Sequence, residues 1–135
     1  MQFAVQLPVD RVDLGAEFSS AQGITHCARH VEKMGFDATF VTDHPAPEDR
    51  WLERGGHHSF DPFVALSCAA GGTTTLKLFT NILVLPYRNP LIVAKSVASL
   101  DTISNGRMIM GVGAGYLEGE FRACGVDMQE RGQLM

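Results

Sequence analysis

The stretch SNGRMIMGVGAGYLEGEF, residues 104–121, decides how the rest of the chain is read. A short apolar run, Met108 to Met110, leads into glycines at 111, 113 and 115. A strand, a glycine-rich turn and a helix would suit a dinucleotide site, which needs G-x-G-x-x-G. Counted from Gly111, the final glycine falls on Tyr116; counted from Gly113, it falls on Glu118. Both frames fail. The acidic residue expected about twenty positions later has a poor counterpart before Met135. These glycines belong to some other α/β turn.

On the N-terminal side of this stretch, apolar strands alternate with helical patterns. Residues 2–8 read as a strand. Ile24, Cys27, Ala28, Val31 and Met34 recur at helical spacing, and Gly35 stands where a C-cap glycine belongs. Residues 37–43 are a second strand, followed by a long polar loop from His44 to about Phe60. Asp61-Pro62 opens a helix as cap and first-turn proline, and Gly71-Gly72 is expected to break it. Residues 76–85 form the third strand. Asn89-Pro90 repeats the capping device, and Asn105-Gly106 closes the helix it opens. The fourth strand is 107–112, and a last helix covers about 117–124, with Leu117, Phe121 and Cys124 on one face. The strands are apolar on both faces, as parallel strands covered by helices are. Periodicity alone fits both an open doubly wound sheet and part of a barrel.

Composition narrows the function. The chain has 135 residues, 45% hydrophobic and 19% charged, which suits one soluble globular domain. A net charge of −4 argues against general nucleic-acid binding. No apolar run reaches the length of a membrane span, and MQFAVQLPVD lacks the basic start of a signal peptide. The three cysteines (Cys27, Cys68, Cys124) are widely spaced and form no C-x-x-C, so they read as buried apolar residues in a reducing cytoplasm.

In either α/β architecture, ligands bind beyond the C-terminal ends of the strands. Asp43-His44, after the second strand, is the sharpest pair there: a carboxylate beside an imidazole can manage protons near neutral pH. A turn cap and a solvated loop histidine are the plainer account of it. Both residues lie outside the apolar runs, so their removal is expected to leave folding little changed. Trp51 either covers a ring or plugs the loop onto the body. Arg88 pairs with an anionic ligand or with a structural carboxylate. His57-His58 with Asp61 hints at a metal, but the spacing matches no established motif, and a solvated loop is the simpler reading. His26 and His30 flank the apolar stripe of the first helix and read as surface residues.

GFDATFVTDHPAP, then DPFVALSCAAGGTTTLKLFTNILVLPYRNP, then LDTISNGRMIMGVGAGYLEGEF together resemble the luciferase-like monooxygenase superfamily, nearest its F-420-dependent (deazaflavin) branch. The resemblance runs along the whole chain, residues 1–135. It implies a (β/α)8 TIM barrel, of which this chain supplies the N-terminal half as a single partial domain. It implies hydride transfer with coenzyme F-420, or flavin-dependent oxygenation with FMN, in a cytoplasmic homodimer acting on a small-molecule substrate. Carried over by position, Asp43 and His44 match the acidic-histidine pair beside the deazaflavin ring. Asn81-Ile82 match a strand-three bulge that often holds a non-proline cis peptide. Gly113, Ala114 and Gly115 match backbone lining the cofactor's side chain. No metal site is implied. A barrel needs eight βα units and typically ~250 residues, whereas this chain shows four. A half-barrel that self-associates as a structural or interaction protein is therefore the rival of another class.

Overall fold

The computed structural model describes residues 1–135. A parallel sheet of order β1-β2-β3-β4 forms from β1 (Ala4–Gln6), β2 (Ala38–Val41), β3 (Lys77–Val84) and β4 (Met108–Gly113). Six α-helices lie between and after the strands: α1 (Ala16–Ser19), α2 (Ala21–Lys33), α3 (Asp49–Leu52), α4 (Pro62–Gly72), α5 (Pro90–Ile103) and α6 (Glu118–Ala123). This is the half-barrel arrangement, with strands in chain order and a helix after each.

The expected caps are present. The Asp61 side chain accepts from the amides of Phe63 and Val64, and Asn89 from those of Leu91 and Ile92. Asn105 and Gly106 both take the left-handed conformation, as a sharp helix stop requires. Several boundaries differ from expectation. β1 is shorter than 2–8, because only Ala4–Gln6 pair with β2. A short extra helix, α1, precedes α2, and the 44–60 loop contains α3. α4 ends at Gly72, at the Gly71-Gly72 pair expected to break it. The buried Arg107 guanidinium holds that end, donating to the carbonyls of Ala70, Leu76 and Ser104 and to the Thr73 hydroxyl. One side chain thus satisfies the C-terminal regions of two helices, which gives the S-N-G-R segment its structural meaning.

The main core cluster lies on one face of the sheet. Leu7, Val41 and Leu78 pack with Ile24, Ala28 and Val31 of α2, Ala65, Leu66 and Ala69 of α4, and Leu100 of α5. Each fully buried leucine here contributes about 1.5–3 kcal/mol. The next residue along each strand turns to the other face. Phe40, Phe79 and Ile109 are register partners there, and the two phenylalanine rings meet edge-on with centroids 6.3 Å apart.

A carboxylate on α2 ties the helical layer to the loop before β3. Oε1 of Glu32 accepts from the amides of Thr74, Thr75 and Leu76 at 2.9, 2.7 and 2.9 Å, and from the Thr75 hydroxyl at 3.0 Å. Burial alone would raise its pKa, but the donors from Thr75, Leu76 and Thr74 outweigh burial and bring it down to about 2. A depressed folded-state pKa means stability that is present above the usual carboxylate range and lost as pH falls through the folded value. Glu32→Gln is therefore expected to lower unfolding stability at pH 7 by roughly 1–2 kcal/mol, after discounting for solvent screening. Urea melts should show that deficit shrinking as the pH drops from about 4.5 toward 2.

The glycines of the opening stretch are explained by β3. Cβ atoms added at Gly111, Gly113 and Gly115 would collide with the Thr80 carbonyl, the Ile82 side chain and the Val84 side chain, respectively. Alternate glycines of β4 and of the turn after it thus lie against alternate residues of β3. The ladder is shifted between Thr80 and Leu83, and the Thr80 hydroxyl fills in, donating to the Gly111 carbonyl at 2.8 Å and accepting its amide at 3.0 Å. The Asn81–Ile82 peptide within this bulge is cis, as the resemblance implies. Gly111→Ala meets backbone, which cannot step aside, and is expected to cost about 1–3 kcal/mol by overpacking. Equilibrium unfolding of that variant measures the cost.

Candidate active site

The C-terminal ends of β2, β3 and β4 converge on one imidazole. His44 follows β2 through Thr42 and Asp43. Its Nδ1 lies 3.3 Å from Oε2 of Glu120, on α6 beyond β4. The Tyr87 hydroxyl, from the turn after β3, donates to the same Oε2 at 3.1 Å. The Ala46 amide donates to Oε1 at 3.4 Å. The Glu120 side chain is 1% exposed and that of His44 10%. A carboxylate so deeply buried needs such partners, because an unpaired charge there is costly. Its field is felt nearby: burial first, and then Glu120, push the Tyr87 and Tyr116 hydroxyls and the Cys124 thiol up.

Aromatic rings close around His44. Trp51 of α3 lies over the imidazole with centroids 4.5 Å apart, His57 meets it edge-on at 5.0 Å, and Tyr116 stands at 6.2 Å. The loop is tied back to the strand end by the Ser59 hydroxyl, which donates to the Thr42 carbonyl at 2.7 Å. Gly56 packs directly on the Trp51 ring, where a Cβ would collide. Trp51 thus packs on the His44 ring and holds its loop against the strand end.

Asp43 is occupied otherwise. Its oxygens accept from Nη1 and Nη2 of Arg88 at 2.5 and 2.8 Å, and Oδ2 also accepts the Val84 amide at 2.9 Å. Its side chain is 2% exposed. Arg88 reaches on to Asp61 at 3.5 Å. Burial works against the Arg88 charge, but Asp43 and then Asp61 outweigh it and raise the guanidinium's pKa. Arg88 thus makes the structural salt bridge rather than waiting for an anionic ligand. The expectation that removing Asp43 leaves folding unchanged is corrected: the carboxylate lies outside the apolar runs yet inside the protein, holding β2 to the end of β3.

Asn81 is exposed at the bulge, while Ile82 is half-buried against Gly113. Gly115 adopts a left-handed φ of 81° and packs on Val84 and Phe121. His26 and His30 stay on the α2 surface, outside this cluster, and no three His, Cys, Asp or Glu side chains gather as a metal would need. Glu120 and Tyr87 were not singled out from the sequence. A signal for Glu120 existed: it stands three residues after Leu117 and four before Cys124, on the apolar face of its helix.

A family model described as luciferase-like monooxygenase matches residues 1–135. The chain belongs to the luciferase-like monooxygenase family. Among its relatives in that family, limonene 1,2-monooxygenase of Rhodococcus erythropolis is 33% identical over 126 residues, covering 89% of this chain and 29% of that protein. F-420-dependent glucose-6-phosphate dehydrogenase of Amycolatopsis mediterranei is 30% identical over 116 residues, covering 85% of this chain and 34% of that one. Among solved structures, monooxygenase RslO1 of Streptomyces bottropensis superposes with a TM-score of 0.80 at 28% identity, covering 98% of this chain and 39% of that chain. This luciferase-like chain therefore spans about a third of the length of the relatives it matches. Its sheet is half of their barrel, and no helix in it is long and apolar enough to cross a membrane.

Proposed function

We propose that this chain is the N-terminal half of an F-420-dependent oxidoreductase that passes a hydride between a small-molecule substrate and the deazaflavin. The observation that carries this reading is the His44–Glu120 pair, placed at the strand ends beside an open apolar sheet face. That face suits a flat, largely uncharged ring. Phe40, Phe79, Ile109 and Ile82 offer apolar surface, Gly111 and Gly113 keep it low, and the exposed Asn81 side chain offers an amide at its edge. Asn81, Ile82 and the backbone of Gly113, Ala114 and Gly115 would hold the ring and its side chain.

When bound, the deazaflavin accepts or supplies the hydride. His44 takes the proton that leaves the substrate's heteroatom as hydride leaves the neighbouring carbon, so two electrons and both hydrogens are accounted for. Its imidazole suits that task near neutral pH. Trp51 and His57 flank the imidazole and narrow its access to water. Asp43 acts through Arg88 by fixing the strand ends on which His44 and Tyr87 stand. Exposed Val64, Leu91 and Ile92, on the first turns of the adjacent helices α4 and α5, offer an apolar patch on which two copies of the whole protein would meet.

The kinship with limonene 1,2-monooxygenase favours a second reading, in which the reaction is oxygenation; FMN would then be the cofactor. Equilibrium titration of the complete protein with each cofactor separates the two. The proposal expects micromolar or tighter binding of F-420, with Trp51 fluorescence quenched in the wild type and the quench absent in Trp51→Phe. Binding of FMN alone would transfer the assignment to the second reading. Binding of neither would overturn both.

A further inference from the structure

We propose that Glu120 and Tyr87 are positioning residues that hold neutral His44 as its Nδ1–H tautomer, leaving Nε2 as the proton-accepting nitrogen. Only the consequence for turnover rests on the function proposed above. The tautomer follows from counting donors and acceptors. Glu120 has three polar neighbours: the Ala46 amide at Oε1, and the Tyr87 hydroxyl and His44 Nδ1 at Oε2. The amide can only donate. The tyrosine is kept as a donor, since burial and the neighbouring carboxylate both oppose its ionisation. An ionised carboxylate offers acceptors alone, so the hydrogen between it and His44 must sit on Nδ1. A neutral imidazole carries one N–H, and Nε2 is then bare. The rings of Trp51, His57 and Tyr116 pack around the imidazole, but none of them hydrogen-bonds it.

The three members come from three separate strand ends: His44 after β2, Tyr87 after β3 and Glu120 after β4. Tyr87 shares Oε2 with His44, so it restrains the carboxylate oxygen that orients the imidazole. Its own effect is on order, and that of Glu120 is on tautomer. A protonated Glu120 would reverse the outcome by donating into Nδ1 and placing the ring hydrogen on Nε2.

Nitrogen-15 NMR of the complete protein, labelled at histidine and free of cofactor, reads the tautomer directly. At a pH where the ring is neutral, wild-type His44 is expected to show the Nδ1–H form alone. In Glu120→Gln, the Ala46 amide retains the carboxamide oxygen and the amide nitrogen turns toward Nδ1. The ring is then expected to switch to Nε2–H. In turnover assays, kcat should fall about tenfold or more while KM changes little. Tyr87→Phe should keep the Nδ1–H form and lose several-fold in kcat. A wild-type ring in the Nε2–H form, or a Glu120→Gln protein that keeps Nδ1–H, would overturn the assignment. Should Glu120→Gln fail to fold, the wild-type spectrum and Tyr87→Phe still decide it. A His44→Ala protein with normal turnover would sink the proposed function and leave the tautomer result standing.

Discussion

His44→Ala is expected to lower turnover of the complete, cofactor-loaded enzyme by roughly 10²–10⁴-fold, the loss typical of an acid–base group. The imidazole sits at a strand end, buried under Trp51 and hydrogen-bonded to a buried carboxylate. A side chain present only to fill space would not need that carboxylate. Cofactor affinity should change far less than kcat, because the apolar face and the bulge are untouched by the substitution. The fold should persist, since Trp51 and Tyr116 can settle into the vacated space. Steady-state kinetics with a fluorescence titration on the same preparation measures both quantities. Turnover near wild type in a folded, loaded variant would remove the proton-handling role.

Breaking the Asp43–Arg88 pair should produce the largest stability effect in the chain. Losing one partner of a buried, hydrogen-bonded ion pair costs about 3–5 kcal/mol, because the other charge is left without compensation. Asp43→Ala strips Arg88 of two hydrogen bonds and leaves the Val84 amide without its acceptor. Arg88 retains Asp61 at 3.5 Å, which places Arg88→Met and Asp43→Ala at different points in that range. The double variant should be less destabilised than the sum of the two, since neither charge is then stranded. Urea unfolding of the four proteins gives the coupling directly. Additive losses, or an Asp43→Ala deficit under about 1 kcal/mol, would show the pair to be a surface contact in effect.

Much of the fold was legible because local rules and tertiary packing agree. Asp61-Pro62 and Asn89-Pro90 start helices, Gly35 and Asn105-Gly106 end them, and the apolar runs between them become the strands. Boundaries were lost where the neighbouring strand decides pairing: of residues 2–8, only Ala4–Gln6 join β2. Gly71-Gly72 do end α4, and Arg107 reaches back across the chain to hold that helix end. The site was half legible. His44 stands out by its place after a strand. The role of Asp43 did not, because a sequence does not show that Arg88, 45 residues on, returns to meet it. Glu120 was hidden among three acidic residues of one short segment, Glu118, Glu120 and the downstream Asp127, until burial distinguished it. For Gly113, Ala114 and Gly115 the resemblance implies cofactor contact. The alternation of Gly111, Gly113 and Gly115 against Thr80, Ile82 and Val84 depends on strand pairing, which spacing within one strand cannot reveal.

The central claim is that the deazaflavin ring lies on the open face at the ends of β2, β3 and β4, within reach of His44. A crystal structure of the complete protein with F-420 bound tests it most directly. The ring is expected against Ile82 and Gly113, with Nε2 of His44 within about 2.6–3.2 Å of a substrate heteroatom or its standing water. A ring bound away from the β3 bulge, with His44 still sealed beneath Trp51, would contradict it.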